Sequence, residues 1–137
     1  MDTNKKGNIG LGKVVSDIVE SGFAVFLPFT DTTCVDVIVG NNALMLRRLQ
    51  VKYREAKQNV VTIPFCSVVN GVKIPIDFIK IDGWAVYTPI IDKVFYLLKS
   101  DVNITKKSYS FRIAPSKVKQ KYSLDNGMQF LGVNRLF

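Results

Sequence analysis

An α/β fold, a central mixed sheet with flanking helices, is what this chain of 137 residues predicts, on three observations. A clear apolar stripe at helical spacing lies near the N-terminus. Beyond residue 22, runs rich in Val, Ile, Phe and Tyr are separated by Gly, Pro and Asn, the punctuation of strands. Asn70-Gly71 stands between two such runs, the strongest short-range hairpin signal. The 47% hydrophobic content is that of a folded core rather than of disorder. The length suits a single domain that buries about two-thirds of the surface its unfolded form exposes.

The first element is a helix over residues 7–21, in which Ile9, Leu11, Val14, Val15, Ile18 and Val19 form the stripe. Gly22 is the kind of stop such a helix favours. Residues 23–27 read as a short strand ended by Pro28, and residues 29–34, rich in Thr and Asp, as a loop. Residues 35–39 and 43–54 read as two strands joined by a Gly-Asn-Asn turn. Strand side chains alternate faces, so Arg48, Gln50, Lys52 and Arg54 share one face while Leu49, Val51 and Tyr53 point to the other. One face is expected to pack and the other to work.

After the charged connection K-Y-R-E-A-K-Q, residues 60–69 and 72–78 form the arms of a ribbon around Asn70-Gly71. Lys57, Gln58, Ser67, Asn70 and Lys73 are expected to decorate it. Residues 83–87 form a strand with Trp84 and Tyr87 as large packing side chains. Residues 92–99 read as a further strand and residues 106–113 as an edge strand. Residues 116–137 read as a C-terminal extension of the domain. Lys117, Lys119 and Lys121 alternate there, and Met128, Phe130, Leu131, Val133, Leu136 and Phe137 make its end too apolar for a solvated tail. That end should pack on the domain or form a subunit interface.

Charge narrows the partner. Nineteen Lys and Arg against 11 Asp and Glu give +8, which points to a polyanion. Nucleic acid fits better than a membrane surface, because no amphipathic helix carries a basic face. No apolar run approaches the ~18 residues of a spanning helix, and M-D-T-N-K-K-G lacks the apolar centre of a secretory signal. Cys34 and Cys66 are too few for a disulfide framework and lack metal-ligand spacing; reduced thiols in a cytoplasmic protein are expected. The chain has no histidine, which removes the commonest general base and zinc ligand. Triad hydrolases and His-based metal sites are thereby excluded.

Asp36 on one strand, a gap of 13 residues, and Gln50-x-Lys52 on the next, in the order helix–strand–strand–strand, resemble the core of PD-(D/E)xK nucleases. The chain is similar in particular to the small homing endonucleases encoded in bacterial group I introns, in which Gln can replace the second acid. K-G-N-I-G at residues 6–10, F-L-P-F-T-D at 26–31 and Y-S-F-R-I-A-P at 109–115 add to a likeness that covers roughly residues 5–115. It implies a restriction-endonuclease-like domain over residues 1–137 that cuts double-stranded DNA at specific sites with Mg2+. Nucleases of this fold that read long, near-palindromic sites work as homo-oligomers, dimers or tetramers.

Phosphodiester hydrolysis needs a metal to generate hydroxide and to stabilise developing charge. Mg2+ takes oxygen ligands, often only one or two carboxylates with water and phosphate oxygens. The resemblance implies Asp36 as the anchoring ligand, Gln50 as an amide oxygen in place of an acid, and the Val51 backbone carbonyl as a further ligand. Lys52 would orient the attacking water or offset charge on the phosphate. Where the family pattern continues K-G-x-x-G with a Glu, this chain has Leu11. One carboxylate is then left for a divalent cation, so weak metal binding and little cleavage are expected, with DNA binding retained.

Binding residues are read from the ribbon, which is of a kind that can enter a major groove, and from the surface cations. Lys57, Gln58, Ser67, Asn70 and Lys73 are the candidates for reading base edges in a major groove. Lys5, Lys6, Arg48, Arg54, Lys106, Lys107, Lys117, Lys119 and Lys121 are candidates for the DNA backbone, where contacts position rather than specify. Three rivals stand beside this reading: a Holliday junction resolvase, which shares the fold and basic surface; a non-catalytic DNA-binding protein, which Leu11 favours; and a basic structural protein without nucleic-acid function, which predicts no salt-dependent DNA binding.

Overall fold

The computed structural model describes residues 1–30, 34–115 and 124–137. Its elements are α1 (Thr3–Glu20), β1 (Ala24–Phe26), β2 (Val37–Gly40), β3 (Leu46–Tyr53), β4 (Val60–Pro64), β5 (Cys66–Val69), β6 (Val72–Pro75), β7 (Gly83–Thr88), β8 (Lys93–Leu98), β9 (Ser108–Arg112) and β10 (Asp125–Asn126). α1 starts four residues earlier than its apolar stripe suggests. The Asp2 carboxylate accepts from Lys5 N–H at 2.8 Å and satisfies one of the free donors of the first turn. The plural helices of the expected fold reduce to this one α-helix among the described residues; the other helical turns are short 3-10 segments.

A five-stranded sheet in the order β1-β2-β3-β7-β8 forms the middle layer. Its pairs are antiparallel except β3 with β7, which run parallel from Leu49↔Gly83 to Tyr53↔Tyr87. The sheet is therefore mixed, and the crossover that a parallel pair requires carries β4, β5 and β6. α1 covers one face: Val14 and Ile18 are buried with Val37, Val39, Leu49, Ala85, Tyr87 and Tyr96. On the other face β4, β9 and β10 form a small sheet. It contributes Val61, Ile63 and Phe111 to a second core around Trp84, Val86, Phe95 and Leu97.

The run over residues 60–69 is not one strand arm. Phe65 is buried, stacked on Trp84 at 5.2 Å and edge-on to Phe78 at 5.5 Å, and there the chain leaves the small sheet. β5 and β6 continue as a separate two-stranded ribbon, paired from Cys66↔Pro75 to Val69↔Val72. Its turn has Asn70 at φ +51° and Gly71 at +78°, the left-handed pair that a two-residue hairpin of this twist demands. Lys57 and Gln58 do not decorate the ribbon. They belong to another tight turn, closed by Lys57 and Val60, with Gln58 at φ +51° and Asn59 at +62°.

The turn after β2 is also longer than expected. Asn41 Oδ1 accepts from Ala43 N–H at 3.0 Å and Met45 N–H at 2.9 Å, which holds residues 41–45 out of the ladder. At the other end of the chain, Phe130 is buried in the second core and Val133 and Leu136 in the first. Phe137 stacks on Phe23 at 5.6 Å. Arg135 spans to Asp101 at 2.7 and 3.1 Å and to the Tyr96 carbonyl at 2.9 Å. Residues 124–137 thus pack on the domain through these side chains, while Met128 stays 40% exposed. No helix of the described residues is long and apolar enough to cross a membrane.

Candidate functional site

The site grows from the middle of β3. β2 ends its pairing with β3 at Val37↔Leu49, and Asp36, the residue just before it, continues along the same edge. Asp36 N–H donates to the Leu49 carbonyl at 2.9 Å. Its carboxylate accepts from Val51 N–H at 2.7 Å. A side-chain acid therefore takes the place of a ladder bond, between the two positions that carry Gln50 and Lys52. The N–H and C=O of one strand residue face the same edge, so the Val51 carbonyl looks past the end of β2 as well. Asp36 thus touches β3 at Val51, with Gln50 and Lys52 as the flanking positions on that strand.

Gln50 departs from the expectation of a working, solvated face. It is only 5% exposed, in register with Trp84. Its Oε1 is buried with no hydrogen-bond partner among the described residues, and so is Trp84 Nε1. An unmet buried carbonyl oxygen costs about 1–3 kcal/mol, a penalty that a bound cation would relieve. Lys52 is half-buried. Burial pulls its ammonium below the ordinary lysine range, opposed by the Asp36 carboxylate and Cys66, while Arg54 pushes with burial. A lysine so placed is suited to handling a proton or a developing charge. The donors fit a hard divalent cation in kind: a carboxylate, an unmet amide oxygen and a backbone carbonyl. They are thin in charge, since no cluster of three His, Cys, Asp or Glu is found among the described residues.

Beside these residues lies a cleft of about 460 Å3, lined by Thr3, Lys6 and Gly7 of α1, by Val51, Lys52, Tyr53, Arg54 and Glu55, and by Lys57. α1 comes this near because of Gly10, where a Cβ would lie 3.3 Å from Tyr53 Cβ. Lys6 reaches Glu55 at 3.5 Å and lies over the Tyr53 ring. Lys6, Lys52, Arg54 and Lys57 give the cleft four cations against the one acid, an electrostatic match for phosphate. Thr3, Gly7 and Glu55 are lining residues that the alternation of β3 could not reveal; K-G-N-I-G carried a signal for Gly7 alone.

Other expected residues lie elsewhere. Leu11 packs on the apolar cluster between α1 and the sheet with Ile9 and Val15, while the helix residues at the cleft are Thr3, Lys6 and Gly7. Arg48 is held by Asp82: its Nε and Nη2 reach that carboxylate at 3.1 Å each, and its N–H at 2.7 Å. Burial tends to raise the Asp82 carboxyl, but the bonds from Arg48 hold it below the usual range. Arg54 Nε donates to the Thr62 carbonyl at 2.8 Å, strapping β3 to β4. Both arginines have structural partners that alternation alone did not supply. Lys5 is exposed on α1, and Ser67, Asn70 and Lys73 are on the ribbon. Lys106 and Lys107 precede β9, where with Lys73 they rim an apolar cavity. Lys117, Lys119 and Lys121 lie outside the described residues.

A family model described as PD-(D/E)XK endonuclease matches residues 1–131. A solved structure, that of the bacterial homing endonuclease I-Ssp6803I, is similar over 99% of this chain and 93% of that one, with a TM-score of 0.72 and 14% sequence identity. No curated protein sequence matches. At such low identity the structural likeness speaks for the fold: one helix on a mixed sheet. The family match speaks for the kind of chemistry.

Proposed function

The chain belongs to the PD-(D/E)XK endonuclease family, and on that premise we propose that it is a site-specific endonuclease for double-stranded DNA, of the intron-homing type. One observation carries the site: Asp36 bonds the backbone of β3 between Gln50 and Lys52. When bound, Mg2+ supplies a hydroxide nucleophile and stabilises charge on the phosphate; Asp36, Gln50 and the Val51 carbonyl would hold it. Lys52 donates to the attacking water and orients it. Lys6, Arg54 and Lys57 bind the DNA backbone in the cleft, and Ser67, Asn70 and Lys73 approach the bases from the ribbon.

The site as it stands has Asp36 as its acid and Leu11 where the family pattern has Glu. We therefore expect weak metal binding and slow or absent cleavage, with duplex binding intact. A domain of this size offers a limited reading surface, so the working form is a homo-oligomer, dimer or tetramer, acting in the cytoplasm.

The test compares the chain, its Leu11→Glu form and the Leu11→Glu/Lys52→Ala form on duplex DNA with Mg2+. Circular dichroism checks that each is folded, because position 11 packs on the core. All three should bind duplex in a salt-dependent way. Only the Leu11→Glu form should cut readily, and adding Lys52→Ala should reduce cutting by at least about 100-fold. If no folded form binds or cuts DNA, the proposal is lost.

A further inference from the structure

We infer that the bare apolar end of the five-stranded sheet, around Phe26 and Leu46, is the contact through which two copies of this chain pair their sites on one duplex. This rests on the homo-oligomeric endonuclease proposed above and adds the surface that joins the copies.

The face follows from register. β1 and β2 pair at Ala24↔Gly40 and Phe26↔Ile38, and β2 and β3 at Gly40↔Leu46. Val25, Val37 and Val39 alternate with these residues and pack in the cluster under α1. Ala24, Phe26, Ile38, Gly40 and Leu46 therefore share the opposite side of the sheet. The second core lies on that side around Trp84, Val86, Phe95 and Leu97 of β7 and β8, and none of the five belongs to it. Phe26 and Leu46 converge over Gly40, where a Cβ would lie 3.3 Å from the phenyl ring and 3.2 Å from the leucine methyl. Leu27 and Phe29 continue the chain from Phe26, and Leu44 and Met45 lead into Leu46.

These six side chains are open to water. Phe26, Leu27, Met45 and Leu46 are about half exposed, Leu44 is 67% exposed and Phe29 fully so. Side chains of this size carry on the order of 150–250 Å2 each, so the six leave roughly 600–700 Å2 bare. The largest patch on an ordinary monomer is about 300–600 Å2. Each partner in a stable interface gives about 800 Å2, which this patch and its rim approach.

Charge selects the occupant. Residues 22–30 and 37–46 hold no charged side chain. A phosphate backbone finds no cation here, and a basic partner finds no acid. Copies of a +8 chain repel each other through their cationic surfaces, so a neutral face is where they approach at least cost. A second copy brings the same neutral apolar face, and across a two-fold axis the patch meets itself. The arrangement also supplies what one domain lacks. One cleft attacks one strand at a time, and a double-strand cut needs two attacks. Gly40 under the patch is four residues from Asp36, about 13 Å along the chain at about 3.3 Å per residue. A copy docked on the patch therefore brings its own Asp36 close to the first.

The experiment is sedimentation equilibrium over a micromolar range, with circular dichroism to check the fold. The parent should self-associate. Phe26→Glu/Leu46→Glu should raise the dissociation constant at least about 100-fold, because each copy would bury unpaired carboxylates. Phe29→Glu/Leu44→Glu, at positions more exposed still, should act in the same direction and guards against a fold defect in the first variant. Added to Leu11→Glu, the Phe26→Glu/Leu46→Glu pair should leave nicking of supercoiled plasmid and remove most direct double-strand cutting. The inference is overturned, and the endonuclease reading left standing, by a parent that stays monomeric or by folded variants that associate as tightly as the parent. A dissociated variant that still cuts both strands at the rate of the Leu11→Glu form overturns it too. If the Leu11→Glu form cuts no DNA, the endonuclease reading fails, and sedimentation still decides the contact.

Discussion

β3 and the β5–β6 ribbon are built from the same two-residue alternation, yet one is fixed from every side and the other from its root alone. β3 lies between two strands, with α1 over one face and the second core under the other. Even its open edge is bonded by Asp36. The ribbon pairs only with itself, and its apolar side chains remain half to two-thirds exposed. Chemistry at a phosphate requires donors held within a fraction of an ångström, which the first setting provides. Recognition of a groove tolerates, and benefits from, an element free to seat itself.

Three variants can break or sharpen that contrast. Trp84→Ala removes the side chain against which Gln50 and the ribbon's root both pack, and should cost about 3–5 kcal/mol in urea unfolding. A loss under 1 kcal/mol would show that the two regions do not share this anchor. Lys52→Met should leave the folded state at least as stable at neutral pH. Because burial lowers the lysine's proton affinity in the folded chain, the penalty is present below its folded pKa. It is relieved as pH rises from there toward the ordinary lysine value near ~10.4. The parent should therefore gain stability across that window and the Met form should not. Smallest of all, Val69→Ser/Val72→Ser should shift stability by no more than about 0.5 kcal/mol; a larger loss would mean the ribbon packs on something in solution.

Much of the frame was legible because its signals are local. The stripe from Ile9 to Val19 gave α1, Asn70-Gly71 gave the ribbon's turn, and alternation gave the strand of Gln50 and Lys52. The family motif brought Asp36 to that strand. What stayed hidden depends on partners far along the chain. Arg48 reads as a free cation until Asp82 arrives, and Gln50 reads as solvated until Trp84 lies beside it. The break at Phe65 was invisible because residues 60–69 are uniformly strand-like, and only the aromatic contacts with Phe78 and Trp84 turn the chain there. The Gln58-Asn59 turn lacks the glycine that would have announced it. The apolar end carried two readings, and its composition could not choose between core and interface.

The parallel register of β3 and β7 also sets an order of events in time. Arg48 and Asp82, the ends of that crossover, are 34 residues apart, and such a non-local pairing must meet its loop-closure entropy before its contacts repay it. A two-stranded ribbon alone is marginal in water, so during refolding it forms only transiently until the central strands meet, and its valines and Gln50 stay in water until then. Dilution from urea should accordingly show scattering that grows with protein concentration in the earliest phase and fades once the central strands have met.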